Sequence, residues 1–206
     1  KMFKLACKIP SEVEVAVSGG PDSIAALAFL KNSRRKVSAA FIHHRTETSE
    51  RSYQVVSAVC ASLDVPLRYT TLASVDSKDT GLEATWREKR YEFLDQSPIP
   101  VITGHHLDDA VEWWIFSSLH GKSKLIPRIR GSYLRPFLLT RKELLVKYCD
   151  DNNLHYYLDQ TNNLEDRPRV LIRNKMMYDC LKINPGLHKT IRKKYLKEIE
   201  DERQGW

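Results

Sequence analysis

Val13-Glu14-Val15-Ala16-Val17 runs directly into Ser18-Gly19-Gly20-Pro21-Asp22-Ser23 and then into an apolar stretch from Ile24 to about Leu30. This is a short apolar strand, a glycine turn and a helix, in that order. Two adjacent glycines let the backbone turn sharply and bring its N–H groups close to an anion. The following helix aims its positive end at the same place. Such a junction suits the pyrophosphate of a nucleotide. The spacing is neither that of a Walker loop, which needs Lys after its last Gly, nor G-x-G-x-x-G. Gly19-Gly20 alone reads as a turn ahead of a core helix; the whole hexapeptide at a strand-to-helix junction favours the anion seat.

The next hundred residues repeat the alternation. Strands are expected at Val13–Val17, Val37–Ile42, Leu67–Leu72 and Pro100–Thr103, and helices at Asp22–Lys31, Ser49–Leu63, Leu82–Asp95 and Asp108–Leu119. Strands separated by helices of this length predict right-handed crossovers and an α/β fold, a parallel twisted sheet with helices on both faces. Ligands then bind beyond the carboxyl ends of the strands. The Ser18–Ser23 loop, His43-His44 and Gly104-His105-His106 all fall at such ends, so three distant segments should meet in one crevice. After Gly121 the character changes. Ser132–Leu138 reads as extended, Arg141–Asp151 as an amphipathic helix with Thr140 as its N-cap. Val170–Leu181 and Pro185–Glu200 read as helices, with Pro185 in a first turn. The expected division is an α/β nucleotide domain over 1–130 and a mostly helical C-terminal region over 131–206.

The chain of 206 residues is 42% hydrophobic, which suits a globular core and argues against disorder. No apolar run approaches a membrane span, no membrane partner or signal peptide is expected, and Met2 is the expected natural start. Cys7, Cys60, Cys149 and Cys180 are far apart, which speaks against a zinc ribbon or iron–sulfur cluster and fits a reducing cytoplasm. The net charge of +7 favours a polyanionic partner. Basic residues gather late, at Lys122 to Arg130, at Arg167, Arg169, Arg173 and Lys175, and at Lys189, Arg192, Lys193, Lys194 and Lys197. Each cluster alone reads as a solvated face; three of them behind a nucleotide site point towards RNA.

The second informative segment is Val101-Ile102-Thr103-Gly104-His105-His106-Leu107-Asp108-Asp109-Ala110-Val111-Glu112. Asp109 and Glu112, and Asp108 and Glu112, share a helix face. Fixed negative charge at the sheet's carboxyl edge suits an ammonium group or Mg2+. An ordinary acidic first turn is the plainer alternative. One of His105 and His106 is a phosphate contact and the other a packed residue, in an order the spacing leaves open.

Together these segments resemble a known family. Ser-Gly-Gly-Pro-Asp-Ser is similar to the PP-loop of ATP pyrophosphatases, whose fold is adenine-nucleotide α-hydrolase-like. With Gly104-His-His-Leu-Asp-Asp-Ala-Val-Glu112 the chain resembles the tRNA(Ile)-lysidine synthases. Further similarity lies in Leu82-Glu83-Ala84-Thr85-Trp86-Arg87 through Tyr91, Leu134-Arg135-Pro136, Arg141-Lys142-Glu143, Asp159-Gln160-Thr161-Asn162, Ile172-Arg173-Asn174 and Lys182-Ile183-Asn184-Pro185. The resemblance implies ATP-dependent joining of free L-lysine to the wobble cytidine of tRNA(Ile) through an adenylated base, with Mg2+. It assigns Ser18, Gly19, Gly20, Pro21, Asp22, Ser23, His43 and Gly104 to ATP, and Asp22 to the metal. Asp109, Glu112 and Arg173 go to lysine, and Asp22, His105, Asp109, Glu112 and Arg87 to catalysis. His105 would meet the α-phosphate. Arg167, Arg169, Arg173, Lys189, Arg192 and Lys193 are the expected tRNA contacts, and a second copy of the chain is a further expected partner.

Three departures stand out. Trp113, followed by Trp114, replaces the family's usual Thr; two adjacent side chains cannot share a helix face, so one is expected in the core and the other on a base-stacking or partner surface. The segment from Asp159 to Arg173 is longer than usual, and the loop after His43-His44 is short. Family members often carry further C-terminal domains, so the chain is expected to be a minimal form. The rivals are a tRNA-sulfurating PP-loop enzyme, disfavoured by the unpaired cysteines, an amidotransferase-type synthetase, and a tRNA-binding relative that has lost catalysis.

Overall fold

Burial on both faces of β1 (Glu12–Val17) sets the layers: Val13, Val15 and Val17 face one side, Glu14 and Ala16 the other, and almost all are shielded from solvent. A strand covered on both faces belongs in the middle of a sheet. The computed structural model describes residues 3–72, 82–158 and 168–204. After β1 come α1 (Pro21–Asn32), β2 (Lys36–His43), α2 (Glu47–Ser62), β3 (Leu67–Thr71), α3 (Leu82–Leu94), β4 (Val101–Thr103) and α4 (Leu107–Leu119). Two short strands, β5 (Ile129–Arg130) and β6 (Tyr133–Leu134), precede a 3-10 turn at Pro136–Leu139. Then follow α5 (Lys142–Asp151), α6 (Pro168–Leu171), a π-helical segment Ile172–Met176, α7 (Met177–Ile183) and α8 (Leu187–Gln204).

The strand order is β3-β2-β1-β4-β6-β5. All pairs are parallel except β5 with β6. From β1 the chain steps outward to β2 and β3, then crosses back to place β4 on the other side of β1. The carboxyl ends of β1 and β4 therefore flank the point where the winding reverses, the place where an open α/β sheet forms its crevice. One face is covered by α1, α2 and α5 through Ile24, Leu27, Val56, Leu145 and Cys149. On the other face Phe93 and Leu94 of α3 meet Ala40, Val101 and Tyr133. A separate cluster joins α4 to α8 through Leu107, Ala110, Val111, Ile191 and Tyr195. α1 is apolar nearly all round because both sheet and α5 press on it.

Three local expectations change. Ser132–Leu138 is extended only at Tyr133–Leu134, because Pro136 has no N–H to continue a ladder and turns the chain into a 3-10 helix. Thr140 does not cap α5: its buried hydroxyl donates to the Lys4 carbonyl at 3.1 Å. The first turn of α5 is instead satisfied from α4, where Asp108 Oδ2 accepts from the Lys142 N–H at 2.8 Å. Pro185 precedes α8, which starts at Leu187, and lies in a turn where the Asn184 side chain accepts from the Gly186 N–H. Among the described residues no helix is long and apolar enough to cross a membrane, and the four cysteines are free thiols.

On the far side of the sheet Arg68 of β3 reaches Glu14 of β1 with two nitrogens, at 3.1 and 2.6 Å. It also donates to the Phe93 carbonyl at 3.0 Å and lies 4.0 Å over that ring. Glu14 is only 4% exposed, so loss of its partner strands a buried carboxylate. Arg68→Ala is expected to cost about 3 kcal/mol, read as a lower urea midpoint at unchanged slope, and Glu14→Gln in the same chain should recover part of it.

Candidate active site

Gly19 has φ +84°, a conformation that L side chains rarely adopt. A Cβ there would also lie 3.0 Å from Ser52 Cβ of α2. The loop is drawn shut by Ser23, whose Oγ accepts from the Ser18 N–H at 3.0 Å and donates to the Gly20 carbonyl at 3.0 Å. Gly20 is the N-cap of α1, and no side chain caps that end. The positive end of α1 is thus open towards the loop, as an anion seat requires. Gly104 completes the frame: a Cβ on it would lie 3.2 Å from the backbone of Asp22 and Ser23. The end of β4 thereby rests directly on the first turn of α1.

β4 leads into His106, the N-cap of α4. Its Nδ1 accepts from the Asp109 N–H at 3.3 Å, while Asp109 Oδ2 accepts from the His106 N–H at 3.0 Å, a reciprocal capping box. The other ring nitrogen, Nε2, is 3.6 Å from Asp22 Oδ2 and 3.4 Å from Asp109 Oδ2. One imidazole therefore joins the glycine loop to the acidic helix. Burial disfavours its charged form, but Asp109, Asp22 and Asp108 outweigh burial and raise its pKa. Protonation at Nδ1 would cost only the long cap bond. Asp109 also feels burial first, yet His106 and its other cationic neighbours hold its carboxyl below the usual range. His105 behaves differently: burial takes its pKa down to about 4, and its Nδ1 lies 2.8 Å from the Thr103 hydroxyl. It is a neutral imidazole at physiological pH.

Asp108, beside these, ties three helices together. It receives the Lys142 N–H, Arg141 Nε at 3.2 Å and His188 Nε2 of α8 at 3.1 Å. Burial works against its charge, but His188, the Lys142 N–H and Arg141 prevail and hold its carboxyl well below normal. Lys142 also brings its ammonium to 3.5 Å from Asp22. Glu112, one turn along α4, is buried under two guanidinium groups. Arg173 Nε and Nη2 both reach Oε2 at 2.8 Å. Arg169 Nε lies 2.6 Å from Oε1 in an ion pair outside hydrogen-bond geometry. Arg173 Nη2 extends to 3.9 Å from Asp109. The π-helical turn that carries Arg173 is a form met often at functional sites.

Of the expected site residues, Ser18, Gly19, Gly20, Pro21, Asp22, Ser23, Gly104, Asp109, Glu112 and Arg173 gather along this crevice. His43 ends β2 beside it, accepts from the Arg45 N–H at its Nδ1 and faces Glu50 at 3.1 Å. It opens on a cavity of about 480 Å³ shared with Arg45, Glu50, Tyr53 and Tyr69. Arg87 lays its guanidinium over Tyr91 of its own helix at 5.6 Å. Lys189 and Lys193 are exposed on α8 and Arg192 is half-buried. Arg167 and the Asp159-Gln160-Thr161-Asn162 motif lie outside the described residues, as do the side chains of Leu82, Glu83 and Ala84. Arg141 and Lys142 fell in a segment of family similarity that gave them no role, and His188 carried no signal of its part here; His106 did, as half of a histidine pair.

The chain belongs to the PP-loop domain family of ATP-binding proteins, whose model matches residues 2–180. Within it, the chain is 31% identical over 197 residues to the tRNA(Ile)-lysidine synthase of Thermotoga maritima, covering 87% of this chain and 47% of that protein. It is 28% identical to the bifunctional protein TilS/HprT of Listeria innocua, covering 92% of this chain and 32% of that one. The chain thus spans 32% to 47% of the length of these relatives. Among solved structures, the NH3-dependent NAD synthetase of Campylobacter jejuni is similar at 15% identity and TM-score 0.48, covering 92% of this chain and 86% of that one.

Because the folded Asp108 carboxyl titrates below its unfolded value, its stabilisation is full above that value, near 4, and is lost as pH falls towards the folded one. Asp108→Asn is expected to lower stability by about 1–2 kcal/mol at pH 7, with the gap to wild type closing as urea titrations are repeated below about pH 4.

Proposed function

We propose that this chain carries the catalytic centre of a tRNA(Ile)-lysidine synthase, joining L-lysine to the first anticodon cytidine of a tRNA(Ile) with a CAU anticodon at the expense of ATP. The observation that carries the reading is the His106 bridge, which puts Asp22 of the phosphate loop and Asp109 of the acidic helix against one imidazole. Adenylation followed by amine attack needs an anion seat and a cation seat in one crevice. The names of the relatives support the same reading.

In the first step the cytosine carbonyl oxygen attacks the α-phosphorus, the bond to the β-phosphate breaks and pyrophosphate leaves. In the second, the lysine ε-amine attacks the ring carbon bearing that oxygen. The carbon–oxygen bond breaks, AMP leaves and the amine gives up a proton. Ser18 to Ser23 and the open end of α1 hold the β- and γ-phosphates and offset the charge that develops on the leaving group. His43, two residues past the Phe41 that pairs with Val17, and its cavity receive the nucleoside end. Neutral His105 offers the α-phosphate a hydrogen bond without adding charge. Asp109 and Glu112 bind the lysine ammonium. Arg173, released from them as lysine arrives, turns to the lysine carboxylate, for which its planar fork is suited. Lys189, Arg192 and Lys193, with Arg167 and Arg169, meet the tRNA backbone.

The donor set fits Mg2+ in a limited way. Asp22 Oδ1 is a buried carboxylate oxygen with no hydrogen-bond partner, and among the described residues no cluster of three or more ligating side chains forms a cage. An ion held by one carboxylate and by ATP oxygens is the usual manner for Mg2+. Its contribution when bound is to neutralise phosphate charge.

Radiolabelled lysine should transfer to an unmodified isoleucine tRNA transcript with a CAU anticodon only with ATP and Mg2+ present, and not when the anticodon C is replaced. AMP and pyrophosphate without lysine transfer would redirect the reading to another amine or base. ATP and tRNA binding without any AMP would favour the silent binder. Asp109→Asn and Glu112→Gln are expected to reduce lysine transfer at least ~100-fold while tRNA-dependent ATP–pyrophosphate exchange persists.

A further inference from the structure

The face of α4 that carries Asp109 continues past the crevice. Steps of three and four residues lead from Asp109 to Trp113, Phe116 and His120. Their rings form a row. Trp113 and Phe116 stack at 5.6 Å between centroids with planes 28° apart, and Phe116 and His120 follow at 4.4 Å and 37°. His120 is exposed, and its Nδ1, 2.8 Å from the Phe116 carbonyl, fixes the last ring. Leu119 beside it is 63% exposed. Gly121, at φ +73°, then turns the chain into Lys122 and Lys124, both exposed. Trp113 and Trp114 both pack in part on the α4–α8 cluster, so the expected division into one core and one surface ring does not hold; Trp114 also has the Lys194 ammonium of α8 4.6 Å over its ring.

We propose that the Trp113–Phe116–His120 row is a stacking track for unstacked RNA bases, leading to the carboxylate pair and holding nucleotides that flank the base under modification. The proposal rests on the RNA-modifying reading above and adds to it the surface that receives the strand. Aromatic faces bordered by lysines are how single-stranded nucleic acid is held without sequence readout, since every base has a π-face. The basic turn after the row and the net charge of +7 match a polyanion rather than an apolar protein face. Trp113 and Phe116 are each half-buried, Trp113 packing in part on the α4–α8 cluster, and the surface they leave accessible lies in line with Asp109 and ends at exposed His120.

The test is direct binding, without ATP or lysine, of an RNA stem–loop with CAU in its loop, and of a fully paired duplex of the same stem. Trp113→Leu and Phe116→Leu keep apolar bulk and remove stacking. Together they are expected to weaken stem–loop binding roughly 5- to 100-fold, to leave duplex binding unchanged, and to leave the slope of log K against log salt unchanged, since no cation is lost. Trp113→Phe should restore most of the affinity. If the leucine variants melt early, His120→Ala at the exposed helix end carries the test, with a several-fold loss expected. Unchanged stem–loop affinity in a folded variant overturns the track, as does an equal loss for duplex RNA. So does an effect confined to self-association in sedimentation, which would make the row a protein interface. Because no turnover is needed, absent lysine transfer by the wild type counts against the function and leaves this measurement standing.

Discussion

The His106 imidazole has three carboxylates around it, those of Asp22, Asp109 and Asp108, and the rest of the crevice is arranged to make that tolerable. Three acids beside a loop built for phosphate would repel the ligand it is built for. The chain counters them with Lys142 on Asp22, Arg141 and His188 on Asp108 and Arg173 at the edge of Asp109, while Arg169 and Arg173 cover a fourth acid, Glu112. These partners come from the start of α5, α6, the π-helical turn and α8, so the C-terminal half reaches the crevice through polar side chains as well as through apolar packing. The reciprocal cap between His106 and Asp109 then fixes where the acidic helix begins, and with it where each carboxylate stands.

The layered α/β architecture was legible because the alternation is clean. Each strand is a short apolar run, each intervening helix is long enough to cross back, and the glycines of Gly19-Gly20 and Gly104 mark loop ends at the switch point. Boundaries from β1 to α4 fall within two residues of expectation. What failed locally failed through partners distant in sequence. Nothing near Thr140 shows that Asp108, on another helix, will satisfy α5. Nothing in the run Ser132–Leu138 outweighs the missing N–H of Pro136 once the sheet edge is reached.

The site divides along the same line. Ser18–Ser23 and the Asp109–Glu112 pair were readable because fixed spacing on a turn or a helix carries the chemistry. The order of roles within His105-His106 was not, because it depends on which ring lies against Thr103 and which faces carboxylates. The late basic clusters showed only charge. That Arg169 and Arg173 lie over Glu112, while Lys189 and Lys193 stay in solvent, depends on how α6 and α8 pack against α4, through Val170, Ile191 and Tyr195 among others.

Gly104 meets Asp22 and Ser23 through main-chain atoms, and Gly19 meets Ser52 in the same close way. The distance between the phosphate loop and the end of β4 is therefore set by backbone against backbone. A frame of this kind is indifferent to what it carries. Residues lining the crevice can be exchanged, for a different amine or a different acceptor, without moving the two loops apart. The same contact makes the frame brittle in one respect: a single methyl group at Gly104 would wedge open the two halves of the machinery at once.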